Sequence, residues 1–254
     1  MQILLIIAAI LPPLLLAYGI YYFDKFQREN LKDLVLPFLG GMLIVPAAYF
    51  LEKMISSQFE FDLNQVWDTL VLSFLGVSFV EEGLKAIIFF SLVFYWKFFD
   101  ELFDGFVYAV MIGMGFALVE NILYVWEFGM GTALIRAFTA VPAHAVMGMI
   151  SGYFFARAKF EKSHRLKWIT IGLLLAFLVH GTYDFLILQM ISEPLMAGSA
   201  ILTYGLAIVC WIQMKKVLKT TEESLAMKTE KSITSTARID NDDMTDEFIK
   251  EMRD

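Results

Sequence analysis

The chain has 254 residues, of which 58% are hydrophobic and 19% charged, with a formal net charge of −7. A soluble domain is about 45–50% apolar and about 25% charged, so this composition excludes a soluble globular domain, a disordered chain, a collagen-like chain and a disulfide scaffold. The lone Cys210 rules out an intramolecular disulfide and a cysteine-based zinc site, and the acidity is local, because residues 220–254 hold ten acids against five Lys/Arg. Such a balance gives no reason to expect a nucleic-acid partner.

A helix that crosses a bilayer needs about 20 apolar residues. In chain order the apolar windows are 3–23, 34–55, 66–96, 105–126, 132–156, 168–190 and 194–214. They predict an all-α, polytopic helical membrane protein with about seven transmembrane helices, surrounded by the lipid bilayer of the cell membrane. The first window has no positive n-region and no small-x-small cleavage site, and it contains Pro12-Pro13, so it reads as a retained span rather than a signal peptide. The third is 31 residues long, which leaves room for tilt, for a kink at Gly76 or Gly83, or for two pieces. In the fifth, Pro142 frees the carbonyl of Phe138 and predicts a kink beside His144. Residues 1–218 form the membrane domain. Residues 219–254 form a polar tail, expected to be cytoplasmic and partly disordered, with a short helix possible around 243–252.

Basic residues mark the cytoplasmic side of a membrane protein. Seventeen of the twenty Lys/Arg fall in the odd-numbered connections and the tail, while the connections near 56–65, 127–131 and 191–193 have none. The alternation places the N-terminus outside and the C-terminus in the cytoplasm. Arg136, near the outer end of its span, reads as a snorkelling side chain.

Several ionisable residues remain inside the spans: Glu81, Glu82 and Lys85 on the third, Glu120 on the fourth, His144 on the fifth, and His180 with Asp184 on the sixth. Each charge costs at least about 2.5–3.5 kcal/mol at the centre of a bilayer. Lys85 is four residues after Glu81 and three after Glu82, Asp184 is four after His180, and Tyr124 is four after Glu120, so each set forms one stripe on its helix. The stripes must face the interior of the bundle. Gly113, Gly115, Gly148, Gly152 and Gly181 allow the close helix approach this requires. One intramembrane histidine is as readily a structural hydrogen bond as a reactive group, but seven costly residues on four helices are hard to explain by stability alone.

Adjacent carboxylates cannot both carry charge easily in a low dielectric, and Lys85 would hold one of them ionised. A water between Glu81 or Glu82 and a histidine could be deprotonated and attack a peptide carbonyl, with another histidine donating to the oxyanion. No Ser or Cys stands in a nucleophile setting. The same set could bind zinc through Glu82, Glu120, His144 and His180, although no HExxH is present.

The motifs in series resemble a known family. They are EExxK at Glu81, Glu82 and Lys85; Asp104-Gly105 followed by FxxxENxxY at Phe116, Glu120, Asn121 and Tyr124; PAHxxxG at His144 and Gly148; and HxxxD at His180 and Asp184. Together, over residues 66–185, they are similar to the PrsW family of multi-pass membrane proteases, which is related to type II CAAX prenyl endopeptidases and bacteriocin-immunity proteins. The resemblance implies an endopeptidase that cuts a membrane-tethered substrate, of the single-span anti-sigma-factor kind, on its extracytoplasmic side to start a signalling cascade. It implies Glu81 or Glu82 as general base with Glu120 assisting, and His144 and His180 on the water, the oxyanion or a metal. Lys85 would set the glutamates' charge, Asp184 would orient His180, and Asn121 could donate to the substrate carbonyl. Where the prenyl-endopeptidase relatives have FxxxH, Glu120 stands here. Zinc and a metal-free glutamate mechanism both stay open. Two other classes fit buried carboxylates in general: a proton- or ion-coupled transporter, and a non-catalytic membrane scaffold.

Overall fold

A computed structural model describes residues 2–24, 28–189 and 192–251. The helices are α1 (Gln2–Phe23), α2 (Leu31–Ser56), α3 (Val66–Val71), α4 (Phe79–Ile88), α5 (Leu102–Phe128), α6 (Met130–Phe138), α7 (Ala140–Phe160), α8 (Arg165–Leu188) and α9 (Glu193–Glu251), with no strand among the described residues. The chain divides into two compact units, Met1–Met214 and Lys215–Asp254. The predicted end of the sixth span at Met190, the loop residue Lys25 and the end of the short tail helix at Met252 lie outside the described residues. Helix α9 runs on through the described residues of the tail to Glu251. Beyond Gly205 the sequence has neither Gly nor Pro to stop a helix.

Among the described residues, six stretches are long and apolar enough to cross a membrane: Ile3–Phe23, Leu31–Ser56, Leu102–Phe128, Met130–Phe160, Lys162–Leu188 and Pro194–Met227. The difference from the seven expected lies in the third segment. It is helical from Val66 to Val93, but in four pieces: α3, a π-helical stretch Leu72–Ser78, α4, and a second π-helical stretch Phe89–Val93. The wide turns are visible as i→i+5 bonds, for example the Phe94 N–H to the Phe89 carbonyl at 3.0 Å. Gly76 falls within the first of them and Gly83 within α4.

The predicted fifth span also divides. Thr139 leaves helical geometry at φ −125° and ψ −75°, which separates α6 from α7. Pro142, three residues on, has no N–H to return to Phe138. The carbonyl so released accepts instead from the Tyr204 hydroxyl of α9 at 2.8 Å.

Helix α5 is the centre of the bundle. It is apolar on all sides and buried almost throughout, with α1, α2, α6 and α7 packed around it. Its N-terminus is capped by Asp104, whose Oδ2 accepts from the backbone N–H groups of Asp100 and Glu101 at 2.8 and 2.9 Å. The next residue, Gly105, meets Gly152 of α7 backbone to backbone, and a Cβ on either would run into the other's carbonyl oxygen. Gly148 faces the Ala109 carbonyl of α5 in the same seam. On the opposite side of α5, Gly115 and Gly41 bring α2 equally close. Membrane helices have no hydrophobic drive to associate with one another, so close contact through small residues holds them together. Gly152→Ala is therefore expected to destabilise the protein by about 1–3 kcal/mol through overpacking. Gly205→Ala, where a Cβ meets nothing within 4 Å, is expected to be close to neutral. Thermal unfolding of the detergent-purified protein separates the two outcomes.

Candidate active site

The ionisable groups of the spans converge on one place. On α4 the i, i+3 and i, i+4 spacing turns Glu81, Glu82 and Lys85 to the same side, and all three are buried. Lys85 Nζ donates to Glu81 Oε2 at 2.9 Å and to Glu82 Oε1 at 2.8 Å. Its third contact is His144 Nδ1 of α7 at 3.1 Å. An ammonium has three donors and no acceptor, so these contacts use all three and oblige Nδ1 to accept. The proton of a neutral His144 is then on Nε2, which lies 2.8 Å from Glu120 Oε2 of α5 and donates to it. Phe116, one turn before Glu120, lies under the ammonium, with Lys85 Nζ 4.3 Å from the ring centroid.

The second histidine closes the other side. His180 Nδ1 of α8 stands 2.8 Å from Glu82 Oε1. Its Nε2 is 3.2 Å from Asp184 Oδ2 and 3.9 Å from Glu81 Oε2. The two imidazoles meet edge to face, with centroids 5.6 Å apart. Gly181, beside His180, lets the Phe74 ring of the first π-helical stretch lie directly on α8.

The two glutamates look in different directions. Glu81 borders a cavity of about 190 Å³ together with Glu120, His144, His180, Tyr183 and Asp184. That volume admits several waters. Glu82 borders a void of about 20 Å³ next to Ala86, Phe89 and Ser151, which has room for about one.

Asn121 and Tyr124 stand at the far wall. Asn121 is fully buried, and its amide Nδ2 donates to the Ala9 carbonyl of α1 at 3.3 Å. Its Oδ1 accepts from Arg136 Nε at 2.7 Å. The Tyr124 ring borders the cavity and lies 4.1 Å from the Arg136 guanidinium carbon. Arg136 does not snorkel. Its side chain is only 11% exposed, and Nη2 forms an ion pair with Glu120 Oε2 at 2.8 Å. The break at Thr139 turns α6 so that Arg136 points inward, which the spacing of apolar residues did not reveal. Glu52 of α2 was also missed: it lies within electrostatic range of Glu81, Glu120 and His180. The signal was present, since an acid inside the second apolar window carries the same cost as the others.

A bundle of apolar helices that walls off a cavity bordered by Glu81, Glu120, His144 and His180 can hold water beside a buried base, which is what a membrane hydrolase requires. Known proteins agree. The family described as "PrsW family intramembrane metalloprotease" matches residues 29–213. Protease PrsW of Oceanobacillus iheyensis is 34% identical over 180 residues, covering 71% of this chain and 81% of the relative. The Bacillus subtilis protein of the same name is 33% identical over 184 residues, covering 72% and 82%. That of Halalkalibacterium halodurans is 30% identical over 213 residues, covering 84% and 95%. No solved structure matches. The chain belongs to the PrsW family of intramembrane proteases: it is a multi-pass membrane endopeptidase, and the transporter and scaffold readings give way.

The family description names a metal. Glu81, Glu82 and His144 bring ligand atoms within 4.8 Å of one another. The point between them, however, is held by Lys85 Nζ, in contact with all three at 2.8–3.1 Å. A zinc ion would need those same atoms at about 2.0–2.2 Å and would meet the ammonium as a like charge. The arrangement does not fit a metal at this point. Full-length protein stripped with a zinc chelator is accordingly expected to keep its cleavage rate and to contain far less than one zinc per chain by elemental analysis. Loss of cleavage on stripping, restored by zinc alone, would show that Lys85 does not hold that centre in the active enzyme.

Proposed function

We propose that Glu81 is the general base of a water-mediated peptide hydrolysis and that Glu82 positions the groups around it. The observation that carries this is the division of the pair. Glu81 faces the larger cavity, while Glu82 Oε1 is engaged by both Lys85 and His180. A water in the cavity gives a proton to Glu81 as its oxygen adds to the scissile carbonyl carbon. The carbonyl oxygen becomes an oxyanion facing His180 Nε2, in a ring that Glu82 orients through Nδ1 and beside which Asp184 lies as a counter-charge to an imidazolium. Collapse breaks the C–N bond, and the proton held by Glu81 goes to the departing amine. His144 has both nitrogens committed, to Lys85 and to Glu120, and serves to hold the ammonium rather than to touch substrate. Asn121, whose motif position suggests a carbonyl donor, is buried and ties Arg136 to the Ala9 carbonyl.

The substrate is proposed to be a single-span membrane protein of the anti-sigma-factor kind, cut near the outer face. Two things support this besides the family resemblance. The cavity is bordered by Tyr124, Thr132 and Leu188, residues next to the connections at 127–131 and 191–193 that carry no Lys or Arg. By the charge rule, and counting the broken helical segment Val66–Val93 as a seventh crossing beside the six, those connections are extracytoplasmic, with the N-terminus outside and the C-terminus inside.

The test is cleavage of a single-span reporter by the full-length protein in proteoliposomes. Glu81→Gln is expected to lower kcat by about 10²–10⁴-fold, the usual contribution of a positioned general base. Glu82→Gln is expected to cost less in kcat and more in thermal stability. Full activity of E81Q, or a total loss confined to E82Q, would assign the base to the other glutamate.

A further inference from the structure

Arg136 belongs to none of the motifs and lies on a short helix, yet its guanidinium is committed to three residues of α5. Nε donates to Asn121 Oδ1 at 2.7 Å, Nη2 pairs with Glu120 Oε2 at 2.8 Å, and the planar face lies over Tyr124 at 4.1 Å. Asn121 is anchored in turn to the Ala9 carbonyl of α1. This is a use for which a lysine is a poor substitute, since a compact ammonium cannot span two acceptors in a fixed fork and stack at once. The same Glu120 Oε2 receives His144 Nε2 at 2.8 Å. Arg136 therefore determines where the acceptor for His144 stands.

We propose that Arg136 is a positioning residue for the hydrolysis: by holding Glu120 in place it anchors the His144 ring through its Nε2–H, and so keeps Nδ1 where it serves as the third acceptor that centres the Lys85 ammonium between Glu81 and Glu82. If Arg136 is removed, Glu120 loses the ion pair that fixes its position. The His144 Nε2–H then has no fixed acceptor, and the ring is free to turn. When the ring turns, an N–H faces an ammonium, Lys85 is displaced, and Glu81 loses its alignment toward the cavity. Displacements of about 1 Å in such a site cost about 10²-fold in rate. The inference rests on Glu81 as the base, but its structural half does not depend on cleavage.

The experiment uses full-length protein labelled with ¹⁵N-histidine, in nanodiscs with a single-span reporter. His164→Asn removes the loop histidine signal, and His144→Gln identifies the resonance of interest. Wild type is expected to show His144 as the neutral Nε2–H tautomer. Arg136→Gln is expected to lose that single tautomer and to lower kcat by about 10²-fold with KM within about threefold, the pattern of a lost alignment rather than lost substrate binding. Arg136→Lys is expected to recover part of both. An unchanged His144 tautomer in R136Q, or wild-type kcat, overturns the proposal. Should R136Q fail to fold, R136K decides: wild-type kcat and tautomer there overturn it, and a mixed tautomer with lowered kcat supports it. Glu81→Gln separates this from the base assignment. It is expected to lower kcat by about 10²–10⁴-fold and leave the tautomer intact, so an E81Q with wild-type kcat refutes the base while the tautomer result stands.

Discussion

An ammonium withdrawn from water must find an acceptor for each of its three N–H groups. Lys85 finds two on its own helix and one on α7. That demand organises the rest. It brings α4 and α7 together at one depth and fixes which nitrogen of His144 accepts. Through the other nitrogen it reaches Glu120 on α5 and then Arg136 on α6. A complete buried network of this kind adds little net stability over apolar packing, whereas loss of one member strands a charge at a cost of about 3–5 kcal/mol. Stability alone is thus a weak reason to keep it, and chemistry is a strong one.

The network is possible because the backbones are so close. Glycines at 41, 105, 115 and 152 let α2 and α7 touch α5 directly, and Gly181 admits the Phe74 ring to α8. Short side chains then suffice to join the helices. Glu120 and His144 meet at 2.8 Å because Gly113, two turns before Glu120, rests against the His144 carbonyl. Apolar composition sets the bundle in the membrane, small residues set the distances within it, and the few charges act at those distances.

Much of this was legible in the sequence. The apolar windows marked the helices, the i, i+4 pairs marked the stripes, and Pro142 marked the break that frees the Phe138 carbonyl. What could not be read was how the pieces rotate. Nothing in the spacing around Arg136 reveals that α6 folds inward, so a buried clamp looked like a snorkelling cation. The divergence of Glu81 and Glu82 was hidden for the same reason, because neighbours 100° apart on a helix can be assigned to different cavities only when the surrounding helices are in place. The third apolar window showed its length but not the two changes of winding within it.

Those changes of winding act as a phase setting. Helix α4 carries three of the site's groups in ten residues and is bounded by wide turns at both ends, Leu72–Ser78 and Phe89–Val93. A wide turn fits more residues into each revolution than an α-helix does, so it rotates the adjoining helix without moving it far along the axis. One residue corresponds to about 100° of rotation in an α-helix, the angle between Glu81 and Glu82. Loss of a single residue from the first stretch would therefore act on the site as an exchange of faces, presenting Glu82 where Glu81 now stands, and a gain would present Val80 there. The chain length between Leu72 and Val93 is under the same constraint as the identities of the catalytic side chains.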